Sequence, residues 1–342
     1  MKNKTAFEKF APTILKVYRR NKESFWSAVM APFLSNGFSI FTWFKHLQLD
    51  LELLSAFKGL DDEAQQILKS FSSRFDLDVS KWESNRIQYF KDAYPVFAFL
   101  AVWMDEEGLV DLVEKFGDIL QAGVFAVAGY GILDANVDSN TPSPVEMLVA
   151  QSLIAEYEKL ALDIFGVTGV NLEIIHRMRS LFLEAEIREK SMRWKGSPYH
   201  LNDPKQLGAK GANSVTPFML SLEHLGKASL IGEYWEVFLL FGAAIQMIDD
   251  WQDLEGDLAI GHYSYVTLGF ENLLPTSDPA QTAKLLRDDK EHVRKTYAVS
   301  KEMIARSRVI LDGLDDRFLV RLVDITELRL DKYFRRDLNI SI

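Results

Sequence analysis

Four aspartates, Asp249, Asp250, Asp253 and Asp257, follow directly on an apolar run in the stretch FGAAIQMIDDWQDLEGDLAIGHYSYVTL, residues 241–268. Asp249, Asp253 and Asp257 are spaced i, i+4, i+8, so on a helix they share one face. Carboxylates stacked this way repel one another unless positive charge sits between them. A hard divalent cation such as Mg2+ meets that need, because it takes oxygen ligands, keeps several waters and bridges to substrate phosphates. A metal–diphosphate site is the chemistry this spacing suggests. A plain acidic helix end closing at Gly256 would use the same residues, but the apolar segment 231–248 before it argues against a solvated surface.

An earlier stretch repeats the theme. In GVFAVAGYGILDANVD, residues 123–138, Asp134 and Asp138 stand at i, i+4 at the end of an apolar run rich in small residues. A helical glycine costs about 1 kcal/mol relative to alanine. Gly123, Gly129 and Gly131 therefore call for an offset, either close helix packing or room for a ligand. Asn136 reads as a further ligand or as a turn former.

The segment Gln246–Asp253, with Gly256, Asp257 and Gly261 after it, resembles the second aspartate-rich motif of trans-isoprenyl diphosphate synthases and the related class I terpene synthases. That pattern reads roughly FQxxDDxxD–xxGD–xxxxGK; here Ile245 replaces the Phe and His262 stands where Lys is usual. The resemblance covers roughly residues 120–270. It implies a first acidic site at Asp134 and Asp138, where the usual DDxxD is reduced to DxxxD, and a second at Asp249, Asp250 and Asp253. It also implies Mg2+, three ions with bound diphosphate, between the two acidic helices. Asp134 and Asp249 would be the groups without which ionisation fails. Gln246 belongs to the motif.

The diphosphate side needs cations. The family has a Lys-containing turn about 40 residues before the second motif, and Lys210 in GAKGANSVTP is the candidate. Lys190 and Arg193 lie on the preceding helix, whose charged face otherwise reads as solvated. The C-terminal DKYFRR places Arg335 where terpene synthases close their site with an Arg/Tyr pair. Phe125, Tyr130, Phe218 and Trp251 are candidate walls around a carbocation, which ring faces stabilise, and each would serve equally as core.

The resemblance implies a Mg2+-dependent terpene synthase that ionises a linear prenyl diphosphate and cyclises or quenches the cation. Chain-elongating members need a second anion site, and neither a GGKR-like turn nor an Arg-Arg-Gly after the first motif is present. Head-to-head condensation of the squalene/phytoene-synthase type is the alternative within the superfamily. A non-catalytic binding subunit is the alternative of another class. A di-iron bundle expects two Glu-x-x-His pairs, and only Glu173–His176 fits.

Composition sets the frame. The chain has 342 residues, 48% of them hydrophobic, ample for a large core. The absence of cysteine removes disulfides and thiolate sites. A net charge of −10 makes nucleic acid an unexpected partner. Neither a signal peptide nor a transmembrane segment is expected, which points to a cytoplasmic protein; a homodimer is common in the family.

Period-3.6 apolar spacing dominates. It predicts helices over 5–22, 24–47, 49–57, 61–74, 85–104, 106–135, 143–166, 170–194, 214–225, 228–254, 279–311 and 315–336. Asp61, Ser143 and Asp278 are expected N-caps, with Pro144 and Pro279 at first helical positions. The expected fold is all-α: a single domain over 1–342, an antiparallel bundle of the isoprenoid synthase type around a deep apolar cavity.

Overall fold

The computed structural model describes residues 5–20, 22, 25, 51–75, 93, 96–139, 141–200, 203–270 and 278–340. Apart from residues 25 and 93, the helix expected over 24–47 and the part of that over 85–104 before residue 96 lie outside the described residues. Among them the protein is all-helical, with no strand. The helices are α1 (Ala6–Arg20), α2 (Leu51–Ser72), α3 (96–106), α4 (Val110–Glu114), α5 (Phe116–Asp138), α6 (Pro144–Phe165), α7 (Gly169–Met192), α8 (Thr216–His224), α9 (Ile231–Ala259), α10 (Pro279–Asp288), α11 (Lys290–Gly313) and α12 (Arg317–Arg336). A twelve-residue 3-10 segment, Pro204–Val215, precedes α8.

Ser143 and Asp278 cap as expected: their side chains accept from the N–H groups of Glu146 and Gln281. Asp61 does not. The break expected at Lys58-Gly59 is absent and α2 runs through it. Gly59 serves close packing instead, since a Cβ there would lie 2.8 Å from the Cβ of Ala6. One turn on, Glu63 accepts from the N–H of Phe7 at 3.0 Å and satisfies an open donor at the start of α1. The helix expected over 279–311 is two, because Asp289 accepts from the N–H groups of Glu291 and His292 and starts α11 anew. Similarly, Gly108 at φ 76° separates α3 from α4 ahead of α5.

The described residues group into two compact units: 1–172 with 223–225, and 173–222 with 226–342. In the first, α5 is the central helix and packs on α1, α2 and α6. Phe10 of α1 stacks on Phe116 at 6.0 Å, and Phe71 of α2 meets Phe125 edge-on at 5.7 Å. A Cβ at Gly129 would lie 3.1 Å from the carbonyl oxygen of Ala150, so this glycine lets α5 and α6 approach backbone to backbone. A Cβ at Gly123 would fall within the ring of Phe97, 2.2 Å from its edge atom.

In the second unit α9 is the spine. It packs on the 3-10 segment, α10, α11 and α12. Ala243, Ala244, Met247, Ile248, Trp251 and Leu254 form its buried side. The Trp251 indole N–H donates to Thr296 Oγ1 at 3.2 Å, and Arg287 donates to the Trp251 carbonyl at 3.0 Å. A Cβ at Gly208 would lie 2.1 Å from the Leu239 carbonyl oxygen, so only glycine lets the 3-10 segment lie this close to α9.

By length and composition two stretches, Phe116–Val137 and Ala228–Ala259, are apolar enough to cross a membrane. The apolar window of the first is 67% buried within the protein, that of the second only 33%. On the second helix Phe238, Leu239, Phe241 and Ile245 are half-buried rather than buried.

Candidate functional site

Helix geometry sorts the α9 aspartates. Asp249 and Asp253 are exposed on one face, with Asp257 half-buried a turn later. Asp250 sits 100° further round and is buried on the core side. Gln246 joins the two directions: its amide N–H donates to Asp249 Oδ2 and to Asp250 Oδ1, each at 3.1 Å. The second carboxylate oxygen of Asp250 is buried without a hydrogen-bond partner.

The charges carry the imprint of this arrangement. Asp249 keeps an edge in solvent, yet surrounding protein pushes its carboxyl pKa up against the pull of Lys210, Gln246 and Arg329. Desolvation, then the charges of Asp249 and Asp257, raise Asp253. Burial raises Asp250 to about 7, against Gln246 and Lys210.

Beside these carboxylates lies a buried ionic cluster. Glu189 of α7 accepts from Lys210 Nζ at 2.8 Å, lies 3.1 Å from His262 Nε2, and also accepts from the Tyr199 hydroxyl. Burial acts to raise the Glu189 carboxyl, but His262 and Lys210 overcome it and hold it near 2. For Lys210, burial is outweighed by Glu189 and the neighbouring carboxylates, and the amine stays protonated well above its ordinary range. His262 also lies 3.5 Å from Asp257 through Nδ1. Burial lowers its pKa, but the two carboxylates lift it to about 10, so the ring is a cation at neutral pH.

The turn after α9 sets this histidine. Gly261 takes φ +70°, and a Cβ there would fall on the Trp194 ring, 2.1 Å from its nearest atom. The Trp194 N–H donates to the Gly261 carbonyl at 2.9 Å, and the His262 N–H donates to the Asp257 carbonyl at 2.8 Å. His262 thus supplies a positive charge at the end of α9, turned toward Glu189 and Asp257.

The remaining candidates are spread out. Lys190 is half-buried and Arg193 buried at the end of α7, while Arg335 is exposed. Asp134 is half-buried on α5, in the first unit, and the side chain of Asp138 lies outside the described residues. Asn136 is a turn former: its amide donates to the Ile132 carbonyl at 3.0 Å and to Glu146 at 2.9 Å, and its oxygen accepts from the Ser143 N–H at 2.7 Å. Phe125, Tyr130, Phe218 and Trp251 are all buried.

Sequence reasoning passed over Arg329 and Glu189. Arg329 on α12 feels the charge of Asp249; burial lowers its pKa and Asp249 and Tyr333 oppose that. It stands four residues before Tyr333, on the same helix face, and that spacing was the available signal. Glu189 sits inside Arg188-Glu189-Lys190, a charge run that reads as solvated.

Among the described residues no group of three or more His, Asp or Glu side chains gathers closely enough to hold a metal unaided. Asp249 and Asp253 nevertheless fit a hard cation. They share an exposed face, the charge of Asp249 raises Asp253, and two carboxylates with substrate oxygens and waters are an ordinary Mg2+ set. Asp250 faces away from that set.

Comparison with known proteins gives no match: no family model, curated protein or solved structure is significantly similar to this chain.

Proposed function

We propose that the chain is a Mg2+-dependent class I terpene synthase that ionises a linear prenyl diphosphate and cyclises or quenches the resulting cation. One observation carries this reading. The open face of α9 runs from half-exposed apolar residues, Phe238, Phe241 and Ile245, directly into the exposed carboxylates Asp249 and Asp253. Such a face matches a ligand with an apolar chain and a charged head.

The residues divide the work. Asp249 and Asp253 would hold Mg2+, which when bound neutralises charge developing on the leaving diphosphate. Arg329 adds positive charge beside Asp249. Lys210 and His262 contribute as fixed charges, since both are tied to Glu189. Gln246 orients Asp249 by donating to it. The allylic C–O bond breaks with its electron pair leaving on the diphosphate.

Incubation of the purified chain with Mg2+ and C10, C15, C20 or C25 prenyl diphosphate, each with and without isopentenyl diphosphate, tests this. A hydrocarbon or alcohol from one substrate alone, with diphosphate release, is expected. A longer diphosphate formed only with isopentenyl diphosphate would replace the proposal by chain elongation. Squalene- or phytoene-type coupling would replace it by head-to-head condensation.

A second reading, a non-catalytic subunit that binds the same amphiphile, draws on the inward turn of Asp250 and the pairing of Lys210 with Glu189. Tight binding of a prenyl diphosphate without Mg2+-dependent turnover would favour it.

A further inference from the structure

We infer that Trp194 is a positioning residue: its ring, held over Gly261, locks the end of α7 to the end of α9 and thereby keeps His262 between Glu189 and Asp257. This role goes beyond the proposed reaction and is the same whatever ligand the aspartates of α9 take.

Both helices run into a left-handed residue. At the end of α9 the His262 N–H donates to the Asp257 carbonyl at 2.8 Å and the Gly261 N–H to the Leu258 carbonyl at 3.2 Å, with Gly261 at φ +70°. Glycine suits that position, and the paired bonds satisfy carbonyls that the helix end leaves open. Two residues past the end of α7, Trp194 takes φ +63°. A bulky side chain in that region is uncommon and carries a backbone cost that glycine would not.

The two left-handed residues meet. The Trp194 N–H donates to the Gly261 carbonyl at 2.9 Å, and a Cβ on Gly261 would lie 2.1 Å from the nearest atom of the Trp194 ring. Burial does not account for the cost, because Trp194 stays 55% exposed. What the conformation secures is the contact with the turn.

That contact matters through the charges beside it. Glu189 stands in the last turn of α7 and Asp257 in the last turn of α9. His262, the residue after Gly261, reaches both: Nε2 lies 3.1 Å from Glu189 and Nδ1 lies 3.5 Å from Asp257. The charged groups facing the ring are thus Glu189 from α7, Asp257 from α9 and Lys210 from the 3-10 segment, whose like charge opposes it. Tyr199 adds a hydroxyl that donates to Glu189. His262 is buried, and burial favours a neutral imidazole. Its cationic form therefore needs both carboxylates close at once, which requires α7 and α9 to keep their spacing. A backbone hydrogen bond and a ring contact, one residue from the histidine, hold that spacing.

NMR titration of the His262 ring in the full chain, with the signal assigned by its loss in His262→Gln, tests the role. It reads folded molecules only, so a loss of stability by itself does not move it. The wild-type ring is expected to titrate at about 10. Trp194→Gly removes the ring while suiting the left-handed backbone, and the midpoint should fall toward the ordinary value of about 6.5. Trp194→Phe, which keeps a ring over Gly261, should hold it near 10. Gly261→Ala pushes a methyl into the ring and should lower the midpoint in the same direction as Trp194→Gly. Circular dichroism checks folding, and Trp194→Leu carries the test where Trp194→Gly does not fold. A midpoint unchanged in folded Trp194→Gly or Trp194→Leu overturns the positioning role and leaves the tryptophan as packing. A wild-type ring that titrates at its ordinary value overturns it as well.

Discussion

The ends of α5 and α9 look alike as sequence and differ as structure. Each is a long apolar helix with internal glycines that runs out into aspartates spaced four apart. In α5 the glycines serve packing: Gly129 admits the α6 backbone and Gly123 the Phe97 ring. Its end is tied off by Asn136, Glu146 and Ser143 in a hydrogen-bonded turn. In α9 the apolar face stays half-open, Gly256 has nothing within 4 Å of an added Cβ, and the end is tied off by ions, Asp257 to His262 to Glu189 to Lys210. The same residue types thus give a buried strut in one place and an open, charged face in the other. What differs is the neighbours, a facing helix at α5 and a glycine-bearing 3-10 segment with ionic partners at α9.

The largest effect should come from the carboxylates. If the proposed function holds, Asp249→Ala is expected to cut Mg2+-dependent diphosphate release by about a hundredfold or more, the scale of losing one element of charge stabilisation, with helicity unchanged. Asp134→Ala is expected to match it. A loss confined to Asp249→Ala would sharpen the contrast and assign the chemistry to α9 alone, whereas full activity in Asp249→Ala would remove the metal assignment.

Next come the packing contacts. Gly129→Val should destabilise by about 1–3 kcal/mol through overpacking against α6, read as a lower denaturant midpoint. A neutral result would mean that α5 and α6 can part, and the strut description would fail. Asn136→Ala should cost about 1–3 kcal/mol, since it leaves partly buried partners unsatisfied, with no change in metal-dependent turnover.

The pH dependence tests the ionic end of α9. The folded-state pKa of His262 lies above its ordinary value, near 10. Its stabilising contribution is therefore complete below about 6.5, the unfolded value, and is lost as pH rises toward 10. Thermal midpoints should fall over that interval in the wild type and fall less in His262→Gln. Equal slopes would deny that His262 is held as a cation. Glu189 has the opposite sign: held near 2, it contributes above its unfolded value and loses that contribution as pH falls toward 2.

The smallest effect is Gly256→Ala. With open space around the added methyl, it should stabilise by about 0.5–1 kcal/mol on helix propensity alone. A destabilisation would mean that this turn of α9 is more crowded than α5.

Local signals read well where they acted locally. Ser143-Pro144 and Asp278-Pro279 start helices as written, because cap and proline act through neighbouring backbone groups. Lys58-Gly59 misled, because the reason for that glycine is a contact with α1, more than fifty residues away in sequence. Asp289 hides a helix start inside a continuous apolar pattern, where periodicity outweighs a single cap. Among the site residues, Asp249 and Asp253 stand on the face that their spacing predicts. Arg335 lies in the more basic stretch of sequence, but it is exposed, whereas Arg329 is half-buried and feels the charge of Asp249.

The sequence by itself determined that this protein is helical, that it builds a large core without cysteine, and that carboxylates cluster at i, i+4 along one helix. Period and spacing are properties of a single helix and need no partner. The tertiary structure decided which aspartate turns inward, that Lys210 and His262 are tied to Glu189, and that Phe238, Phe241 and Ile245 of α9 are left half-buried. Those outcomes depend on side chains brought together from α7, α8, α12 and the 3-10 segment. Desolvation and charge pairing between segments distant in sequence leave no periodic trace in it.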